Sequence, residues 1–234
     1  MAAGVSEATS WAFAFAELST GSPWGVLLGL SILHGKSISS TTTLVNSILH
    51  PINATKLFLG RYYTDENQNV WNQALQGLSR FTWEGPQTWA GYNWSNIRSI
   101  ARKVDKIDYL GGATFCINKD GTYGSVSLGN YINADIDGSY NGKITDYPVL
   151  MHEYGHTFDS RKYGPAYLFE IGIPSAISAS NSERTEANGI TTTTHKLFWT
   201  EQRASLNAYY YFNKNYGVKI TDFELYLPYH QPEK

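Results

Sequence analysis

The chain has one cysteine among its 234 residues, which excludes an internal disulfide framework. Cys116 lies in an apolar run, where a small buried thiol is the usual outcome. A nucleophilic cysteine needs a partner that stabilises its thiolate, and the neighbouring sequence supplies none. We therefore expect Cys116 to be a structural residue.

Charged residues are also scarce, because they make up 16% of the chain and leave a formal net charge of −2. This balance excludes the basic surface of a nucleic-acid-binding protein. The longest apolar stretch, from Trp24 to Leu33, is far shorter than the ~20 residues of a membrane span. The residues before Trp11 include no Lys or Arg, so the N-terminus does not resemble a signal peptide.

Aromatic residues are abundant by contrast, at 15% of the chain with seventeen tyrosines and seven tryptophans. This composition is typical of extracellular and surface proteins. Four tryptophans lie close together and would suit either a carbohydrate or peptide platform or a core, namely Trp71, Trp83, Trp89 and Trp94. Because large aromatic side chains are mostly buried, we expect these four in the core.

The main functional signal is the stretch from His152 to His156, which has the form H-E-x-x-H. Residues four apart lie on one face of an α-helix, so both imidazoles can reach a single metal ion. Glu153 can reach a water molecule on that ion and act as the catalytic general base. The alternative is a buried helix with two hydrogen-bonded histidines and a solvated Glu153.

The flanking residues predict that this segment is helical. Thr145 or Asp146 can cap the N-terminus, and Pro148 suits the first turn, where a missing N–H group costs nothing. Gly164, which precedes a proline, predicts the end of the helix. Gly155 is a poor helix former, and its presence indicates close approach of another backbone or of a ligand.

Two histidines leave a catalytic zinc site incomplete, because such a site has three protein ligands and an open position. The pattern H-E-x-x-H-x-x-G-x-x-H is excluded, since Asp159 and Lys162 occupy its glycine and third histidine positions. The third ligand would then be a carboxylate farther along the chain, and the candidates are Glu170, Glu183, Glu186, Glu201, Asp222 and Glu224.

Glu201 is the best of these candidates. It lies in a predicted helix in which Glu201, Ala204, Ser205 and Ala208 share one face, and these small residues would allow close packing on Gly155. A carboxylate on such a face is costly unless it is paired or bound to a metal. The alternative is an exposed position beside a neighbouring arginine.

Further residues have supporting roles in this hypothesis. His195 precedes the Glu201 helix and is a second catalytic candidate, because it could donate a hydrogen bond to the tetrahedral oxyanion. Tyr154, Tyr209 or Tyr210 could do the same. Asp159 lies three residues beyond His156 and could orient its imidazole.

The remaining sequence predicts an α+β fold in two parts. Residues 1–54 are rich in Ala, Gly, Ser and Thr and form a lead-in segment of helical character, whereas residues 55–234 form the domain that carries the motif. Apolar residues at helical spacing predict helices over residues 70–78, 94–101 and 198–212.

The predicted sheet precedes the motif. The β-rich runs 109–118 and 123–133 flank Asp120 and Gly121, which predict an antiparallel hairpin. A peptide substrate could add to the edge of this sheet by β-augmentation. The Ser/Asn-rich stretch that ends near Ile190 is predicted to be a loop, and residues 218–227 alternate like a final strand.

The order of these segments resembles a group of bacterial, Bacteroidetes-type proteins with a zincin-like metallopeptidase domain, often found at the C-terminus of RHS-repeat surface proteins. The resemblance covers roughly residues 80–212 and rests on the segments Arg80 to Thr88, Val104 to Thr114, Gly124 to Asn133, His152 to His156, Gly164 to Leu168, Gly172 to Ser175 and Trp199 to Glu201. Asp159 departs from the family pattern, which commonly has Gln there.

The resemblance implies a zincin-like α+β fold and a glutamate-type zinc metalloendopeptidase. His152, His156 and Glu201 match the zinc ligands, and Glu153 matches the base. It also implies a peptide or protein substrate and a secreted or cell-surface location within a larger surface protein. Two other functions stay open, namely a non-catalytic zinc-binding terminal module and a toxin or effector domain.

Overall fold

A computed structural model describes residues 41–119, 124–136, 138, 140–187 and 190–219. Residues 41–49 are helical, and the helices that follow are α1 (Pro51–Gly60), α2 (Val70–Ser79), α3 (Gly85–Ile100), α4 (Pro148–Tyr163), α5 (Ile173–Ser180) and α6 (Trp199–Tyr216). The strands are β1 (Lys106–Leu110), β2 (Ala113–Asn118), β3 (Val126–Leu128), β4 (Tyr131–Asp135), β5 (Arg184–Ala187) and β6 (Ile190–Thr193). The α+β class is thereby confirmed.

The main sheet is mixed, with the strand order β1-β2-β4-β3. β1 pairs with β2 and β3 pairs with β4 in antiparallel fashion, whereas β2 and β4 are parallel. The tight β1–β2 turn forms at Gly111 and Gly112, because both adopt the positive φ angles that such a turn requires.

The antiparallel pairing predicted between residues 109–118 and 123–133 is therefore wrong. A dozen residues separate β2 from β4, which is the length that a parallel crossover needs. Asp120 and Gly121 fall within that crossover and lie outside the described residues. The short strand β3 lies at the far edge of the sheet, beyond β4.

Helices cover both faces of this sheet. On one face Phe115 and Ile132 join a buried cluster with residues of α4 and α6, whereas on the other Cys116 and Tyr131 pack with residues of α1 and α3. The alternation follows from the two-residue period of a strand. Cys116 is fully buried, as expected, and its burial raises the thiol pKa to about 12.

The chain before residue 55 is partly integrated into this core. Asn46 donates a hydrogen bond to Asn96 of α3 at 2.8 Å, and Asn53 of α1 donates to the main-chain oxygen of Val104 at 3.1 Å. The predicted boundary between residues 54 and 55 falls inside α1. Residues 1–40, including most of the predicted lead-in segment, lie outside the described residues.

The prediction that the clustered tryptophans form a core is wrong for three of the four. Trp71 is 81% exposed, and Trp83 and Trp94 are also exposed, whereas Trp89 is half-buried. In α2, which carries Trp71, Ser79 is the only buried residue. The side-chain amides of the helix instead face the rest of the fold. Gln76, for example, accepts a hydrogen bond from the main-chain N–H of Asp65.

The region between α4 and α6 is more regular than the sequence predicts. The predicted loop ending near Ile190 instead contains α5 and the hairpin of β5 and β6, preceded by a π-helical turn over Leu168–Gly172. The predicted final strand over residues 218–227 lies largely outside the described residues. Among the described helices, none is long and apolar enough to cross a membrane.

Candidate metal centre

The motif lies on α4, as predicted, and the local sequence explains the bounds of this helix. Pro148 is its first residue, and Gly164 follows its last residue with a φ of 52°. The predicted side-chain cap is wrong, because Tyr147 occupies the cap position. Asp146 instead forms an ion pair with Lys143 at 2.8 Å.

Close contact between α4 and α6 brings the candidate ligands together. A Cβ atom placed on Gly155 would lie 1.8 Å from the main-chain oxygen of Ala204 in α6. The two backbones can therefore touch only because residue 155 is glycine, as its position in the motif predicts. Ala204 and Ala208 are fully buried along the same contact.

His152 and His156 of α4 converge on Glu201 in the first turn of α6. The Nε2 atoms of the two histidines lie 3.1 Å and 3.3 Å from Glu201 Oε2, and the three candidate ligand atoms lie within 4.8 Å of one another. Glu201 and His156 are buried, whereas the His152 side chain is 24% exposed. These three residues, the His–His–Glu cluster, could hold a metal ion.

Hydroxyl groups orient the carboxylate of the cluster. Ser175 and Thr200 donate hydrogen bonds to Glu201 Oε1, at 2.7 Å and 2.9 Å respectively. With Oε1 occupied in this way, Oε2 is the oxygen that faces the two imidazoles. The arrangement fixes which carboxylate oxygen would bind a metal ion.

A third hydroxyl supports the first histidine. Ser205 Oγ lies 2.8 Å from His152 Nδ1. When Nδ1 donates to this oxygen, Nε2 keeps the lone pair that a metal ion would bind. Ser205 is therefore placed to accept the Nδ1 proton when a metal ion occupies Nε2 of His152.

Asp159 lies too far from the second histidine for the predicted hydrogen bond. Its Oδ2 atom is 3.9 Å from His156 Nδ1, which is buried and lacks a hydrogen-bond partner. Asp159 Oδ1 instead lies 2.8 Å from Arg203 Nε. The carboxylate of Asp159 nevertheless lies close enough to the imidazole of His156 to favour its protonated form.

The electrostatics of the cluster suit a cation between its members. Burial alone would raise the pKa of Glu201, but hydrogen bonds with His152 and His156 hold that pKa well below its usual range. Burial would lower the pKa of His156, but the hydrogen bond with Glu201 raises it above its ordinary value. The cluster thus holds a positive charge against a buried carboxylate, and two imidazoles with one carboxylate form a donor set that zinc accepts.

Glu153 lies beside the cluster and faces the edge strand β3. It is 7% exposed, and its Oε2 atom accepts a hydrogen bond of 2.6 Å from Ser127 Oγ. Tyr167 in turn donates to the main-chain oxygen of Ser127. The alternative of a solvated Glu153 is therefore wrong.

His195 also reaches the cluster. Its Nε2 atom lies 3.8 Å from Glu201 Oε2, and its Nδ1 atom lies 3.3 Å from Ser178 Oγ on α5. Its side chain is 25% exposed, so it remains accessible to a substrate. Tyr154, by contrast, is fully buried and donates to the main-chain oxygen of Gly111, which removes it as an oxyanion donor.

The other acidic candidates in the described part of the chain do not join the cluster. Glu170, Glu183 and Glu186 are exposed, while residues 222 and 224 lie outside the described part of the chain. The supporting residues that sequence reasoning missed are all hydroxyl-bearing, namely Ser127, Ser175, Thr200 and Ser205. Serine and threonine are common in this chain, and no spacing rule marks these four; for Ser127, Ser175 and Ser205 the partner also lies on a different element.

Comparison with protein-family models, with curated proteins and with solved structures finds no match to this chain. A functional assignment therefore depends on the geometry of the His–His–Glu cluster and its neighbours. That geometry brings three of the sequence-predicted site residues close to Glu201, namely His152, His156 and His195, and places Glu153 near enough to His156 to influence its charge.

Proposed function

We propose that this protein is a zinc-dependent metallopeptidase in which the His–His–Glu cluster holds the metal ion. The observation that supports this most strongly is the convergence of three ligand atoms within 4.8 Å across two helices. Two imidazole nitrogens and one carboxylate oxygen match the ligands of a catalytic zinc site, which keeps a further position open. The partial exposure of His152 gives that position a path to solvent.

Zinc at this cluster would lower the pKa of an attacking water and polarise the scissile carbonyl group. Glu153 follows His152 on α4, and its carboxylate would accept the proton of that water. The hydrogen bond from Ser127 occupies Oε2, so Oε1 is the oxygen available for the proton. Glu153 would then deliver the proton to the leaving amine, which completes hydrolysis of the peptide bond.

His195 is the candidate for stabilising the negative charge that develops on the carbonyl oxygen. Its Nε2 atom lies next to the cluster, and its Nδ1 atom has a hydrogen-bond partner in Ser178. When Nδ1 accepts the hydroxyl proton of Ser178, the Nε2–H group of His195 could donate a hydrogen bond to the oxyanion.

The substrate in this proposal is a peptide that lies along β3. Among the described strands, β1 and β3 form the edges of the main sheet, and β3 contacts Glu153 through Ser127. A peptide strand there would share the main-chain oxygen of Ser127 with Tyr167, because a carbonyl oxygen can accept two hydrogen bonds. The family resemblance adds that the enzyme acts at the cell surface or after secretion, as part of a larger protein.

Metal analysis and a single substitution test the proposal. The purified protein should bind about one equivalent of zinc, and Glu153→Gln should retain the zinc while losing peptide hydrolysis. Glu170→Gln is the matched control, because Glu170 is an exposed glutamate outside the cluster. Unchanged hydrolysis by Glu153→Gln would refute the mechanism. Zinc binding without any cleavage in a proteome-wide screen would instead favour a non-catalytic zinc-binding module.

A further inference from the structure

A groove runs between α5 and the segment that leads into α6. It has a volume of about 420 Å³, and the residues that line it are Pro174, Ile177, Ser178, Asn181, Thr194 and Phe198. None of the six is charged, and three of them present apolar surface. Ile177 is 55% exposed, so this apolar surface is open to a ligand.

The groove adjoins the His–His–Glu cluster. Ser178, in its wall, contacts His195 Nδ1, and the other ring nitrogen of His195 lies 3.8 Å from Glu201 Oε2. A single imidazole ring therefore separates the groove from the carboxylate. From the same helix, Ser175 donates to Glu201 Oε1, so α5 connects the groove directly to a candidate metal ligand.

We infer that this groove binds an apolar side chain of the substrate, one or two residues from the bond that is cleaved. The inference rests on the proposed function. An extended peptide advances about 3.3–3.6 Å per residue, so a residue this close to the scissile bond can reach the far side of one imidazole ring. The enzyme would then prefer aliphatic or aromatic residues such as Leu, Ile or Phe at that position.

The chemistry of the walls explains this preference. Binding would remove apolar surface of both Ile177 and the substrate side chain from water, which is favourable. A charged substrate side chain would lose hydration without gaining a partner of opposite charge from the described residues that line the groove. Ser178 and Thr194 already have protein partners, in His195 and in the main-chain N–H of Glu183.

Cleavage of a peptide series that varies only this position tests the preference. The wild-type protein should cleave the Leu and Phe peptides with a kcat/KM at least about tenfold above that of the Ala and Asp peptides. Ile177→Ser should reduce this ratio to a few-fold at most. Ile173→Ser is the matched control, since Ile173 is similarly exposed on α5 but does not line the groove. An equal ratio in the wild type and Ile177→Ser would overturn the inference.

A binding measurement separates failure of this inference from failure of the proposed function. N-acetyl-leucinamide, added to the zinc-free protein, should shift the NMR signals of Ser178, Asn181 and Thr194, whereas N-acetyl-serinamide should not. Ile177→Ser should abolish these shifts. If no peptide is cleaved but the shifts appear, the groove binds apolar side chains and the peptidase proposal fails. If peptides are cleaved without apolar preference and no shifts appear, the inference fails and the peptidase proposal stands.

Discussion

Replacement of Gly155 by alanine tests whether the contact between α4 and α6 holds the cluster together. In an isolated helix this change would stabilise, because alanine is about 1 kcal/mol more favourable than glycine. In this fold the new Cβ would lie 1.8 Å from the main-chain oxygen of Ala204, and real Cβ contacts essentially never fall below 3.0 Å. The two helices would have to move apart by more than about 1 Å, a strain typical of overpacked cores.

The size of the effect follows from these opposing contributions. Overpacking costs about 1–3 kcal/mol, and the upper end applies because a backbone oxygen cannot rotate away. Subtracting the helix-propensity gain leaves a net destabilisation of about 2 kcal/mol, which corresponds to a decrease in Tm of roughly 4–8 °C. Zinc affinity should fall as well, because metal–ligand distances tolerate only about 0.2 Å and the ligands lie on both helices.

Thermal unfolding and zinc titration of the purified variant provide the assay. Gly77→Ala is the control, because Gly77 lies in α2 and its added Cβ would meet only Thr64, at an ordinary distance of 3.7 Å. That variant should gain about 1 kcal/mol and keep its zinc affinity. The reasoning would be refuted if Gly155→Ala were as stable as Gly77→Ala and bound zinc equally well.

Three further predictions concern the site and its support. Ser127→Ala removes the hydrogen bond to Glu153 Oε2, and we expect kcat to fall about tenfold or more with zinc content unchanged; equal kcat values would show that Ser127 does not position the base. In the zinc-free protein, pairing with Glu201 raises the pKa of His156. This pairing therefore stabilises the fold fully below about pH 6.5, the pKa of an unfolded histidine, and the stabilisation is lost as the pH rises through the pKa of His156 in the folded protein. Because zinc needs the neutral imidazole, the increase in Tm caused by zinc should grow between about pH 5.5 and 8, and a pH-independent increase would contradict this linkage. Arg80, 3% exposed, donates to main-chain oxygens at the end of α1 and in the β1–β2 turn, so Arg80→Met should cost about 3 kcal/mol or more in chemical denaturation, and a loss below about 1 kcal/mol would contradict that role.

The candidate site was more predictable than the sheet. The spacing of His152 and His156 is a local property of one helix, and Gly155 indicates a close neighbour because only glycine permits one. The pairing of β2 with β4 depends on residues far apart in the chain, and the Asp-Gly signal at residues 120 and 121 favoured the wrong partner. Strand order is a non-local choice that turn residues specify only for tight hairpins.

The prediction that the four clustered tryptophans lie in the core failed for a related reason. Hydrophobicity predicts burial for an average residue, but burial also requires that a helix turn the relevant face toward the core. In α2 the amide side of the helix contacts the fold, and Trp71 faces solvent. The orientation of a helix about its own axis is set by the elements that pack against it, which single-helix spacing does not reveal.

Local sequence patterns were enough to predict the α+β class, the helix that carries His152, Glu153 and His156, and the close approach of another backbone or of a ligand at Gly155. These depend on residues close together in the chain. The sequence also favoured Glu201 among six acidic candidates, but the folded chain was needed to show that it meets both imidazoles, that Ser127 holds Glu153, and that an apolar groove adjoins the cluster. Each of these joins elements that are distant in sequence, and only the packing of α4, α5, α6 and β3 brings their side chains within hydrogen-bonding distance.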